Sequence, residues 1–144
     1  MRAAWLLAAV LVSVAAPARA ISCGGASSLR EAYRDATHVF LAHAEGAHTA
    51  PAFGREGVPL VRLRVERVWK GGLTAGDAVD ASAEEDVPFT SGTTVPEVGT
   101  DVLVYAGGEP PFRLSACSRS GRATGHEADM RKLDRWARKR RPNP

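Results

Sequence analysis

The apolar positions of this chain change period several times, and each change marks an element. Residues 5–16, WLLAAVLVSVAA, are apolar almost without interruption. From Ser28 onward, SSLREAYRDA places Leu29, Ala32, Tyr33 and Ala36 on one helical stripe, and Ser28 and Glu31 stand at the spacing of a capping box. These features predict a short helix. THVFLAHAEG follows, β-branched, aromatic and nearly continuous in apolar character at its start, as expected of a strand buried on both faces. In PLVRLRVERVWKG, Val61, Leu63 and Val65 alternate with Arg62, Arg64 and Glu66, and then the next apolar residue is Val68 rather than Arg67. A one-residue slip inside a long strand predicts a β-bulge, common where strands bend round a small barrel. KGGLTAGD is a Gly-punctuated turn into a second alternating segment, Val79, Ala81 and Ala83, so the two segments form a hairpin. After the Pro/Gly/Thr-rich excursion EEDVPFTSGTTVPEVGT come two more strands, DVLVYAGG and FRLSAC, the latter ending at Cys117. In TGHEADMRKLDRWARKRR, Thr124 and Glu127 stand at capping-box spacing, and Met130, Leu133, Trp136 and Ala137 share a face, which predicts a docked C-terminal helix. The expected fold is mainly β: a small five-stranded barrel with a short N-terminal helix and a basic C-terminal helix.

The first apolar run is read differently from the rest. Arg2 precedes it and Ala18-Arg19-Ala20 follows it, which together make a secretory signal peptide. The run is too short for a spanning helix, which needs about 20 apolar residues, and no later stretch approaches that length. The mature chain is therefore expected to be secreted or periplasmic, soluble or peripheral, with no transmembrane segment. Cleavage after Ala20 leaves 124 of the 144 residues, enough for one domain with a core and too few for two. The expected organisation is a removed leader over 1–20, a barrel over 21–122 and a basic helix and tail over 123–144. A cut after Ser22 would instead make Cys23 the first residue, and lipidation of Cys23 is a third alternative, although AISC is a poor lipobox.

Charge is distributed unevenly. The tail from Arg131 to Arg141 holds seven basic residues (Arg131, Lys132, Arg135, Arg138, Lys139, Arg140, Arg141) against the single acid Asp134, and the rest of the mature chain is net acidic. Three readings of this tail stand side by side: a solvated helix face, an anion-binding patch for lipid or envelope polymer at about 1 kcal/mol per cation, and nucleic-acid binding. The export signal, the acidic body and an aromatic content of 6% argue against nucleic acid. In an exported chain the two cysteines, Cys23 and Cys117, are expected to form a disulfide rather than stay free. Closing a loop of about 94 residues would add roughly 2–5 kcal/mol.

Candidate chemistry is sparse. Cys117 as a nucleophile in SACSRSG needs a partner histidine and a free thiol. His38, His43 and His48 invite a zinc reading, but on a strand the odd spacing puts His38 and His43 on opposite faces, and His48 is expected in a loop. HEADM at His126 lacks the second histidine of the zinc-protease motif, since Met130 stands there. Glu84, Glu85 and Asp86 could hold a divalent cation at a loop edge, or form a solvated rim. No phosphate loop, nucleophile elbow or Ser/His/Asp order is visible, so a non-catalytic protein without cofactor or metal is expected.

Taken in order, a cysteine after a signal peptide, a short helix, VFLAHAEG, VRLRVERVWKGGLTAGDAV, VGTDVLVYA and LSACSRSG together resemble the bacterial secreted proteins related to the tissue inhibitors of metalloproteinases, the netrin-like module. The resemblance covers residues 23–121. It implies an OB-fold barrel tied by cystines to its N-terminal segment, and a module that works by binding a protein or an envelope component. It also implies a metalloprotease as one partner class, because in the animal inhibitors the amine and carbonyl of a first-position cysteine chelate the protease zinc. Cys23 is the matching position. Two departures count against that role here: the chain reads Cys23-Gly24-Gly25 where the family has Cys-x-Cys, and cleavage after Ala20 leaves Ile21 and Ser22 ahead of Cys23. A structural staple is the expected role of Cys23.

Overall fold

A computed structural model describes residues 27–52, 55–83, 96–115 and 117–140. The elements are α1 (Leu29–Asp35), β1 (His38–Ala52), β2 (Arg55–Lys70), β3 (Ala78–Ala83), β4 (Asp101–Ala106), β5 (Phe112–Leu114), β6 (Gly121–Arg122) and α2 (Glu127–Arg140). The protein is mainly β, a curled half-barrel sheet with two helices.

Helix α1 starts as its sequence dictates. The Ser28 hydroxyl accepts from the Glu31 amide at 3.3 Å, and the Glu31 carboxylate accepts from the Ser28 amide at 2.8 Å. Leu29 and Tyr33, one turn apart, are its buried residues.

The sheet runs β5-β3-β2-β1-β4-β6, with every neighbouring pair antiparallel except β3 and β5. Its concave face buries Phe40, Ala42, Ala44, Val61, Leu63, Val65, Val79, Ala81, Val102, Val104, Phe112 and Leu114. Its outer face carries a second core, in which Val39, Leu103 and Tyr105 pack against Leu29, Tyr33 and Ala36 of the α1 region and Leu133 of α2. Val39 and Phe40 are neighbours that point into opposite cores, both fully buried, which is why β1 begins as a continuous apolar run.

The slip in β2 is a bulge. Ala42 pairs with Val65 and Leu41 with Arg67, so Glu66 is the extra residue. Val65 and Val68 both enter the concave core, and Glu66 and Arg67 therefore both leave from the outer face. A further register shift passes over Trp69. The consequence is that the last turns of β2 reach the helices. Arg67 contacts the Asp134 carboxylate of α2 at 3.1 Å, the Trp69 indole N–H donates to the same group at 2.8 Å, and Lys70 Nζ donates to the carbonyls of Tyr33, Arg34 and Ala36 at 2.8, 3.0 and 2.5 Å. Lys70 thus satisfies carbonyls that α1 leaves open at its C-terminus. Gly71 then turns the chain at φ +103°, and a Cβ there would stand 2.4 Å from the His38 ring.

Three expectations need correction. The sheet has six strands and does not close as a five-stranded barrel. The edge of β4 away from β1 is occupied by the segment after Cys117: Val102 and Leu103 pair with Arg122 and Gly121, and the Ser120 hydroxyl takes both the N–H and the C=O of Tyr105. With those groups satisfied, the three-residue β5 pairs only with β3. His48 lies within β1, opposite Leu60, not in a loop. The far ends of β1 and β2 form a two-stranded ribbon held by its ladder, which a polar sequence such as Glu45-Gly46-Ala47-His48-Thr49 does not announce. Finally, Thr124 does not cap α2. The His126 carbonyl accepts the first helical bond, from Met130 N, and Glu127 reaches back to the Gly125 amide at 3.0 Å. The docking stripe is as expected, with Leu133 buried and Met130 and Trp136 packed on the outer core.

Candidate functional site

Of the residues singled out from sequence, Cys23, Arg141 and the trio Glu84, Glu85 and Asp86 lie outside the described residues. Cys117 sits exposed in a turn where its amide donates to Ser115 Oγ at 3.1 Å, and it is not a free thiol, which removes the nucleophile reading. His38 is buried, its Nδ1 at 3.0 Å from the Thr37 hydroxyl and its ring packed on Phe112. His43 emerges on the opposite face, and His48 Nε2 lies 3.6 Å from Asp80, which Arg62 already engages. The three histidines form no common site.

The basic residues of α2 separate into two groups. Arg131, Lys132, Arg135 and Arg138 are exposed, and Arg140 ends the helix. Lys139 lines a groove between the helices. This groove, about 580 Å³, is lined by Arg30, Tyr33 and Arg34 of α1, Lys70 of β2, and Trp136 and Lys139 of α2. Tyr33 and Trp136 form its wall in an edge-to-face pair with centroids 5.5 Å apart, a favoured aromatic geometry. The Tyr33 hydroxyl donates to the Trp69 carbonyl at 3.0 Å, and Lys70 Nζ lies 5.2 Å above the Tyr33 ring, so the wall is fixed from below.

Among the described residues the lining is cationic and contains no acid. Lys70 is committed to the α1 carbonyls, and Arg34 is engaged by Asp35 at 2.7 Å at the exposed rim. Asp35 holds the Arg34 guanidinium firmly protonated, and Arg34 in return holds Asp35 below the usual carboxylate range. Among the described residues Arg30 and Lys139 form no ion pair, so their charge is available to an incoming anion. An anionic group carried on an apolar or planar body fits such a groove: two cations for the charge, an indole and a phenol face for the body.

Sequence reasoning found Lys139 and missed Arg30, Arg34 and Lys70. The first two look like the polar face of an amphipathic helix, and Lys70 like the end of a strand. Only the packing of α1 against α2 through Tyr33 and Trp136 brings them together.

A smaller hollow of about 370 Å³ lies beside Cys117, with Arg113 and Arg119 on its lining. Arg119 is fully employed there: it donates to Asp129 of α2 at 2.7 Å and to the Ser27 carbonyl at 2.9 Å. Tyr105 also borders this hollow, its hydroxyl buried with no hydrogen-bond partner among the described residues. Burial first, then the Asp129 charge, push its phenol far above the usual range, so it stays neutral.

On the outer face away from the helices, His43 Nδ1 and Asp101 Oδ1 are 2.6 Å apart, and Asp101 holds the imidazole above its ordinary pKa. Among the described residues no helix is long and apolar enough to cross a membrane. The chain matches no protein-family model, and no curated protein is similar to it in sequence.

Proposed function

We propose that the protein is an exported, non-catalytic binding module of the netrin-like, OB-fold type, whose role is to engage a protein or cell-envelope component through anionic groups. The observation that carries this reading is the groove between α1 and α2, lined by Tyr33 and Trp136 and by Arg30 and Lys139, which form no ion pair among the described residues. The OB-type assignment draws support from strand order. A β1-β2-β3 meander, a return of β4 to β1 and a parallel β5 on β3 is the path of a Greek-key barrel left open at the β4 and β5 seam. Export rests on the leader and on an N-terminal staple between Cys23 and Cys117, which the engaged state of Cys117 favours.

The test uses the mature protein and envelope fractions from its own compartment. Retention that falls with added salt, drops at least tenfold in Arg30→Glu and Lys139→Glu, and survives in Arg135→Glu is the expected result, since Arg135 lies outside the groove. Equal retention in all three variants would show that the groove is not the binding surface. Sequencing the mature N-terminus decides the metalloprotease-inhibitor alternative: any residue ahead of Cys23 removes the free amine that zinc chelation requires.

A further inference from the structure

We infer that His43, Glu66 and Asp101 form a site for a divalent transition-metal ion of the zinc class on the outer face of the sheet. The three residues come from three adjacent strands, β1, β2 and β4, and their ligand atoms all lie within 4.8 Å of one another. Backbone pairing sets the arrangement. His43 stands directly opposite Asp101 on β4, while on the other side the bulge gives β2 two consecutive outward side chains. One of them, Arg67, turns to Asp134 of α2, and the other, Glu66, joins His43 and Asp101.

A simple ion pair accounts for only part of this cluster. His43 and Asp101 bond to each other, yet Glu66 brings a second carboxylate beside the first and has no ion-pair partner of its own among the described residues. Cations are close at hand but employed elsewhere: Arg64 engages Glu45, Arg67 engages Asp134, Arg62 engages Asp80 and Arg122 engages Glu97. Once His43 gives up the proton it shares with Asp101, two carboxylates and a neutral imidazole converge with a charge of about −2, the complement of a divalent ion. One nitrogen and two oxygen donors suit zinc and its neighbours, and three protein ligands leave at least one position open to water or to a partner's donor group.

The required adjustment is small. Ligands at about 2.0–2.2 Å from a tetrahedral ion stand roughly 3.3–3.6 Å apart, so His43 and Asp101, now 2.6 Å apart, need to part by about 1 Å or less, while the exposed Glu66 carboxylate, within 4.8 Å of both, closes by about 1.5 Å or less. The ion takes the place of the proton at Nδ1: an imidazolium releases that proton to solvent, and a ring already neutral keeps its one N–H on Nε2, so the bound imidazole is neutral either way. Both side chains are half exposed, which gives the metal an entry path.

The experiment is titration of the untagged, chelator-treated mature protein with Zn²⁺ by calorimetry, with Co²⁺ as a spectroscopic probe. Saturable binding of one ion per chain and a raised thermal midpoint are expected. Glu66→Gln and Asp101→Asn should each weaken binding at least tenfold, while His48→Asn, an exposed histidine outside the cluster, leaves it unchanged. Glu66 is exposed and forms no ion pair outside this cluster among the described residues, so Glu66→Gln should fold like the parent, as circular dichroism would verify. Absence of saturable binding overturns the site, and so does binding that persists unaltered in Glu66→Gln and Asp101→Asn. The site lies apart from the groove, so its failure leaves the proposed binding function untouched.

Discussion

The Lys70 ammonium joins the end of β2 to the end of α1 through three carbonyl oxygens, and its charge lies against the negative end of the helix. A charge-assisted hydrogen bond contributes about 1.5–3 kcal/mol at most, and the three here share one partly exposed donor. Lys70→Met keeps much of the stem's packing and removes all three bonds. A loss of about 1–3 kcal/mol in denaturant unfolding, with no change in slope, is expected. An unchanged midpoint would mean that water caps α1 as well as Lys70 does. The same residue shows where sequence reading stops. The stretch VERVWKG, residues 65–71, lies in the segment that carries the family resemblance, but alternation says only in or out. It does not say that Arg67 and Trp69 would share Asp134, that Lys70 would cap a helix 36 residues away in sequence, or that Gly71 would make room for His38.

Among elements, the two helices begin with the same device in different settings. Glu31 accepts from the Ser28 amide, Glu127 from its own amide and then from that of Gly125, and these bonds hold both carboxyls below the usual glutamate range. Because the folded pKa is depressed, each bond contributes fully above the unfolded value, about 4.3, and the contribution disappears as pH falls through that value and below. Helical ellipticity should therefore weaken between about pH 5 and pH 3 before the sheet signal does, and Glu31→Gln with Glu127→Gln should flatten that phase. A helix signal that follows the sheet at every pH would refute the assignment. The α1 cap was legible because Ser28 and Glu31 directly precede an apolar stripe. The α2 cap was misread because Thr124 and Glu127 have the same spacing, while Gly125 at φ +106° turns the chain between them and delays the helix to Glu127. The bulge at Glu66 was legible as a phase slip. FRLSAC was legible as a strand and holds β5, but the two-residue β6 is too short for alternation to reveal, so the strand that takes over the edge of β4 went unseen.

Across the whole molecule, the segment after Cys117 ties the chain's beginning to its end. Arg119 holds the Ser27 carbonyl just ahead of α1 and the Asp129 carboxylate in the first turn of α2, with Asp129 only 10% exposed in its side chain. Its neighbour Cys117 carries the proposed bridge to Cys23, a few residues before Ser27, so bond and bridge restrain the same stretch of chain from the same turn. Removing Arg119 as Arg119→Met leaves the nearly buried Asp129 carboxylate with the His126 ring at 3.5 Å, and is expected to cost about 3 kcal/mol or less. Opening the bridge, as Cys23→Ser with Cys117→Ser, is expected to cost roughly 2–5 kcal/mol. Because either change releases the N-terminal segment that the other still holds, the two should couple, and the combined variant should depart from the sum of the single costs by about 0.5–3 kcal/mol. Denaturant midpoints of the four proteins in the cycle measure this directly. Strict additivity would mean that Arg119 and the bridge stabilise separate parts of the structure, and that the N-terminal segment is not clamped on the sheet by a single turn.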